Sequence, residues 1–312
     1  MDACPDESNP WLSWVAPSLH LYCAVERSED STVVIVRDFS EQVLPEILAG
    51  ENLLAAGATV EAREHYLKAL SIDSTVSKLY VFIGDTYFLE GQYGEAKKWY
   101  QKAMEINPVD YQAYRFMADI LERQGHLELA MHTLVAALIY NMNYDIAWDD
   151  LRRIGLKLGL EVTRHPFRHR SWMEPVSDTT YRVCIDSSVA SSPEKLAAWF
   201  AFTAEKAVWQ VEGKFFDETP TADQYHLTLS ELYSCVNWLV SVWVDLKKKN
   251  PKISDPDLDF ISRAAEDGFL KEYVLLEVLS QLDIHLLLEL NLRDNLSLRF
   301  EEFFFRYYIR GT

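Results

Sequence analysis

Small and large apolar residues recur along the chain at a spacing of 34. Gly50, Gly84 and Ala118 mark one column, and Ala62, Ala96, Ala130 and Ala69, Ala103, Ala137 mark two more small ones. Leu53, Tyr87, Leu121 and Tyr66, Tyr100, Leu134 form large columns, Ile72, Ile106, Tyr140 another, and Gly57, Gly91, Gly125 a second glycine column. Fixed periods of this length mark stacked helical hairpins. Glycine at the turn accepts backbone angles that a Cβ resists. Small residues sit where helix axes approach closely, and large ones fill the space beside them. Asn107-Pro108 ends a second helix, because proline cannot continue it.

The middle unit, Ser77 to Asp110, carries Tyr80, Gly84, Tyr87, Ala96, Tyr100, Ala103 and Pro108. These residues resemble the tetratricopeptide repeat family, with three units at about 43–144. The first unit departs from the family pattern at Glu46 and Ser74, and the third at Met142, as terminal units of stacked arrays often do. Trp148 and Leu151 continue the first-helix pattern for one capping helix, which also bears Arg152, Arg153 and Lys157.

The resemblance implies a right-handed stack whose concave groove is lined by the first helix of each unit and holds an extended peptide or a partner's helix. The groove columns are then Glu51, Asp85, Asp119; Ile47, Val81, Arg115; Leu54, Phe88, Glu122; and Leu44, Lys78, Gln112. Three acids on consecutive helices, at axis separations of about 8–10 Å, repel by about 0.5 kcal/mol per pair in water and about 2 at an effective surface dielectric of 20. A bound cation would relieve that repulsion. One reading is a groove for a peptide with Lys or Arg, whose apolar side chains rest on Ile47, Val81, Leu54 and Phe88. The other is a solvated face of an acidic protein. A clamp for a partner's terminal carboxylate does not fit, since only Lys78 and Arg115 are basic where that clamp needs a set of Lys, Arg and Asn.

Outside the repeats, Ser18–Val25 and Thr32–Arg37 are β-prone runs around Ser28-Glu29-Asp30 that can pair as a hairpin. Trp11 and Trp14 read as packing residues. Arg164-His-Pro-Phe-Arg-His-Arg170 is a dense basic cluster with three readings: docking onto the protein's own acidic surface, contact with nucleic acid, or a His165/His169 metal pair that Pro166 argues against. Tyr181 to Ile185 predicts a short strand. Ser191-Ser192-Pro193-Glu194 opens a helix, followed by helices expected over about 193–212, 221–248, 256–264, 267–281 and 283–309. The expected architecture is mainly all-α: an N-terminal segment 1–42, a tetratricopeptide-type solenoid with its cap over 43–160, a basic linker with a strand over 161–192, and a helical bundle over 193–312.

Forty-eight acidic against thirty basic residues give a net charge of −18. That charge disfavours nucleic acid and anionic membrane as partners. The apolar run Tyr233–Val244 is too short to span a bilayer. Cys4, Cys23, Cys184 and Cys235 form no C-x-x-C pair, and the start Met-Asp-Ala-Cys lacks a basic secretory leader, so reduced thiols in a cytoplasm are expected. Asp223 and His226 make half of a bundle metal site with no second half, and His285 with Glu289 reads as a local pair. With 11 glycines, no phosphate loop, no G-x-S-x-G and no H-E-x-x-H, neither a cofactor nor a metal is expected, and binding is favoured over catalysis, although catalytic groups can be scattered in sequence. The function expected is a protein-interaction adaptor. An effector with a catalytic helical domain and a self-associating structural protein are the alternatives.

Overall fold

The computed structural model describes residues 21–27, 32–177, 180–190, 192–214, 227–282 and 284–311. Trp11, Trp14, Ser28-Glu29-Asp30, Asp223 and His226 lie outside these residues, as does the side chain of His285. The chain divides into two compact units, Met1–Val162 with Gln281–Thr312, and Thr163–Ser280.

The first unit opens with β1 (Leu21–Arg27) and β2 (Thr32–Asp38), the expected hairpin, antiparallel from Leu21 opposite Asp38 to Arg27 opposite Thr32. Helices then follow in pairs: α1 (Leu44–Ala55) with α2 (Thr59–Ile72), α3 (Ser77–Leu89) with α4 (Tyr93–Ile106), and α5 (Tyr111–Arg123) with α6 (Leu127–Tyr140). α7 (Asp145–Lys157) comes last. The pairs turn on Gly57, Gly91 and Gly125 at φ of 80°, 74° and 80°, and Gly159 ends α7 at 71°. These are left-handed angles that only glycine adopts at little cost.

A close approach locks each pair. A Cβ on Gly50 would lie 2.4 Å from Tyr66 Cε1, and one on Gly84 would lie 2.4 Å from Tyr100 Cε1. Each second-helix tyrosine ring therefore lies on the bare backbone of its first helix. The third pair has Ala118 and Leu134 in these columns. The narrower Leu leaves room for a methyl.

A second regularity ties each first helix to the turn before it. Tyr80 donates from its hydroxyl to the Ser74 carbonyl at 3.0 Å, and Tyr114 to that of Pro108 at 3.0 Å. Trp148 donates from Nε1 to that of Met142 at 2.8 Å. α7 is thus a fourth first helix, as its Trp148 and Leu151 led us to expect. No second helix follows it, because the chain turns at Gly159 into β3 (Leu160–Val162).

The second unit begins with the basic segment. Arg164 donates to buried Glu277 from Nε at 3.1 and 3.2 Å and from Nη2 at 3.0 Å. Phe167 is buried against Trp199, Phe202 and Tyr273, and His165 stacks on Phe260 at 4.1 Å. The expectation was docking onto acidic surface; the segment instead enters the interior of this unit, where Arg164 meets one buried acid and Phe167 lies among aromatic rings. The single strand expected over 181–185 is a hairpin, β4 (Ser171–Ser177) with β5 (Thr180–Ile185). α8 (Pro193–Glu212) starts as anticipated, with Ser192 Oγ accepting the Lys195 N–H at 3.3 Å. α9 (Leu229–Lys249) begins later than the expected 221, because Thr228 caps it by accepting the Glu231 N–H. α10 (Pro256–Glu266) is capped by Asp255. α11 (Leu270–Tyr273) runs on as a π-helical segment, Val274–Leu279, that carries Glu277.

The chain then returns to the repeats. The helix expected over 283–309 is broken at Asn295, φ 50°, into α12 (Ile284–Asp294) and α13 (Ser297–Phe303). α13 continues as a π turn, Phe304–Tyr308, and ends in β6 (Ile309–Gly311), which pairs antiparallel with β3. α12 presents Leu288 to Val34 and Val109, and Glu289 Oε1 accepts the Val34 N–H at 3.1 Å. Phe304 stacks on Trp148 at 5.6 Å and Tyr308 meets it edge-on at 5.7 Å. A helical domain over 193–312 was expected, but residues 281–312 fall with the repeats. The aromatic face of α13 covers the end of the array that a fourth second helix would cover.

Two stability predictions follow from these contacts. Gly84→Ala should cost about 1–3 kcal/mol through overpacking against Tyr100. Adding Tyr100→Leu, the pairing found in the third unit, should recover part of that loss in urea unfolding; strictly additive costs would refute the packing account. Arg164→Met should destabilise the second unit by about 3 kcal/mol, because Glu277 keeps a buried charge, and Arg164→Met with Glu277→Leu should be milder than either single change.

Candidate functional site: the face of the first helices

The groove columns lie on α1, α3 and α5. Each member of the acidic column meets a different fate. Glu51 Oε1 accepts the Tyr66 hydroxyl at 2.6 Å, and Asp85 Oδ1 accepts the Tyr100 hydroxyl at 2.6 Å. The tyrosines that lie on Gly50 and Gly84 thus end at the carboxylates one residue further on. Leu134 has no hydroxyl, and Asp119 instead lies 3.4 Å from Arg115. Arg115 also binds Asp150 through Nε at 3.0 Å. From there Arg153 contacts Asp150 at 2.7 Å and also Glu122, which Lys157 reaches at 2.7 Å. The α5–α7 end of the column is therefore an alternating ion-pair chain. Among the described residues, neither Glu51 nor Asp85 has a cation within ion-pair distance.

Protonation follows this split. Burial pushes the Asp85 carboxyl up to about 7, opposed by the Tyr100 hydrogen bond and reinforced by the charge of Glu51. Burial also raises Asp119, with Arg115 opposing it. The Arg153 hydrogen bond brings Glu122 down to about 2 against the effect of burial, with help from Lys157. The Tyr66 and Tyr100 hydroxyls are held protonated by burial and by the acids they bond.

The remaining columns are partly closed. Ile47 and Val81 are buried, Ile47 in a core with Phe39 and Val43. They were expected to be apolar rests for a ligand, and here they pack within the unit. Leu54 and Phe88 are half-buried. Phe88 packs on Tyr93 and carries the Arg123 guanidinium 4.9 Å from its ring centre. Lys78 lies over the Phe82 ring at 5.8 Å. Reading columns singly missed the tyrosines as partners of the acids, and missed Asp150 as the hub of the ion-pair chain. The signal was available: Tyr66 and Tyr100 each follow their acid by 15 residues, and Leu134 breaks that pairing at Asp119. Among the described residues, no group of three His, Cys, Asp or Glu side chains is placed to hold a metal, and no helix is long and apolar enough to cross a membrane.

This geometry defines a solenoid of helical hairpins. Residues 77–110, the α3–α4 unit, match the family model of the tetratricopeptide repeat. The α1–α2 and α5–α6 hairpins on either side repeat the geometry of that unit, each turning on a left-handed glycine. Similar solved structures are the first such domain of Spaghetti (RPAP3) bound to an HSP90 peptide, the first of human RPAP3, and MamA. The Spaghetti domain is 23% identical, over 38% of this chain and 97% of that one, with a TM-score of 0.37. The human RPAP3 domain is 22% identical over 38% and 92%, at 0.36. MamA is 19% identical over 38% and 68%, at 0.35. No curated protein matches the chain.

Asp85 gives a pH prediction. Its folded-state pKa lies above the unfolded value, so its contribution to stability is full below about pH 4 and is lost as pH rises through about 7. Asp85→Asn keeps an acceptor for Tyr100 and removes the titration. Between about pH 5 and 8 the wild type should lose on the order of 1 kcal/mol more unfolding free energy than the variant. Parallel pH profiles would refute the assignment.

Proposed function

We propose that this protein is a protein-interaction adaptor whose repeat groove holds a basic or amphipathic segment of a partner protein. The observation that carries the reading is the contrast within one column. Asp119 has Arg115 within ion-pair distance, whereas among the described residues Glu51 and Asp85 are met by tyrosine hydroxyls and by no ion-pair cation. A lysine or arginine brought to these two acids would make charge-assisted hydrogen bonds in a half-buried setting, where they are stronger than at an open surface. Leu54 and Phe88, on the next column, would rest against the apolar side of such a segment, and Lys78 would border it. The basic preference thus narrows to the first two units. The expectation of reduced thiols makes the cytoplasm the proposed setting for the adaptor.

The test is a panel of amphipathic helical peptides that differ only in carrying Lys or Glu on the polar face, titrated into the full chain. Wild type should favour the Lys series, and Glu51→Gln with Asp85→Asn should reduce that preference about tenfold, or about 1.4 kcal/mol. Both amides still accept from the tyrosines, so circular dichroism should show an intact fold. An unchanged preference in the folded variant would make the acids scaffold alone.

A further inference from the structure

On the opposite side of the array, a depression of about 370 Å³ opens between α4 and α6 over the floor of α5. Its floor is apolar, with Met104, Met117, Leu121 and Ala136, while Lys97 and His132 stand at the rims. The two walls are matched helical stripes: Lys97, Gln101 and Met104 on α4 at i, i+4, i+7, and Leu129, His132, Thr133 and Ala136 on α6 at i, i+3, i+4, i+7. Each stripe is one face of its helix, so two helices wall the depression and α5 floors it.

The other flank of α6 already holds a helix. α13 lies there with Phe305 against the His132 ring at 4.4 Å and Glu301 Oε1 2.5 Å from His132 Nδ1. An aromatic side chain and an acid, four residues apart on one helix, are thus what α6 accepts on that side. The α4–α6 depression continues this interface, because His132 belongs to both. It offers the same two chemistries. Met104 and Met117 are adaptable side chains whose sulfurs favour aromatic partners. Lys97, half-buried at the rim, has no ion-pair partner among the described residues.

We propose that this depression is a second docking site, separate from the concave groove, for a partner's amphipathic helix that inserts an aromatic side chain over Met104 and Met117 and sets an acid against Lys97. The concave face is proposed to select basic segments and this face acidic-aromatic ones, so the array would bridge two partners of opposite charge.

The probe is a synthetic peptide copying residues 297–308, with a photoreactive phenylalanine at the position of Phe304, titrated into the full chain. It should bind and crosslink to α4 and α6 within 97–104 and 129–136. Ala136→Trp, which fills the depression, should weaken binding at least tenfold, and the surface change Lys97→Glu a few-fold. Glu51→Gln with Asp85→Asn should leave this binding unchanged. Crosslinks to Trp148 would mean that the peptide merely displaces α13, and would overturn the proposal. So would binding indifferent to both Ala136→Trp and Lys97→Glu. A chain that is dimeric and becomes monomeric on Lys97→Glu would make a second copy the occupant instead, and would equally overturn it.

Discussion

The repeat array depends on one contact: a tyrosine ring of the second helix laid on a glycine of the first, with its hydroxyl on the neighbouring acid. The glycine sets how near the two axes come, since a Cβ on Gly84 would sit 2.4 Å from the Tyr100 ring. The ring, fully buried, fills the interior at that separation. The hydroxyl needs an acceptor once buried, and Asp85 supplies it. Three columns of the repeat are therefore coupled. Where the third unit changes two of them, to Ala118 and Leu134, the third, Asp119, finds a new partner in Arg115. Packing and electrostatics vary together because one side chain serves both.

This coupling recasts the acidity of the molecule. A line of acids along a groove suggests a surface open to cations. Here part of that line is neutralised from inside, by a chain of alternating charges through Arg115, Asp150, Arg153, Glu122 and Lys157. Net charge summed over the sequence does not report where charge remains uncompensated. Among the described residues, the members of that line left without an ion-pair cation are Glu51 and Asp85.

Much of the fold was legible in the sequence because the repeat states the same physics three times. The 34-residue columns place α1 to α6, and Trp148 announces α7. Caps carry local information too: Ser192, Pro193 and Asp255 mark helix starts that the structure contains. What remained illegible is long-range. Nothing local says that Phe300 to Tyr308 covers Trp148, that β6 pairs with β3, or that Arg164 meets Glu277 across 113 positions. The break at Asn295 was hidden because asparagine tolerates left-handed angles without declaring them. At the site, the acids were visible and their tyrosine partners were not, since columns read singly conceal contacts between columns.

The return of the last helix has a consequence for how the chain is made. Local hairpins close early, because their contacts are near in sequence. The cover of Trp148 is synthesised some 150 residues after it. At ribosomal rates of about 5–20 residues per second, the end of the array stays bare for roughly ten to thirty seconds while the whole second unit emerges. A nascent chain in that interval exposes an aromatic surface to any holdase or neighbouring polysome. Arrival of α13 and its π turn lays Phe304 and Tyr308 on Trp148 and ends that exposure.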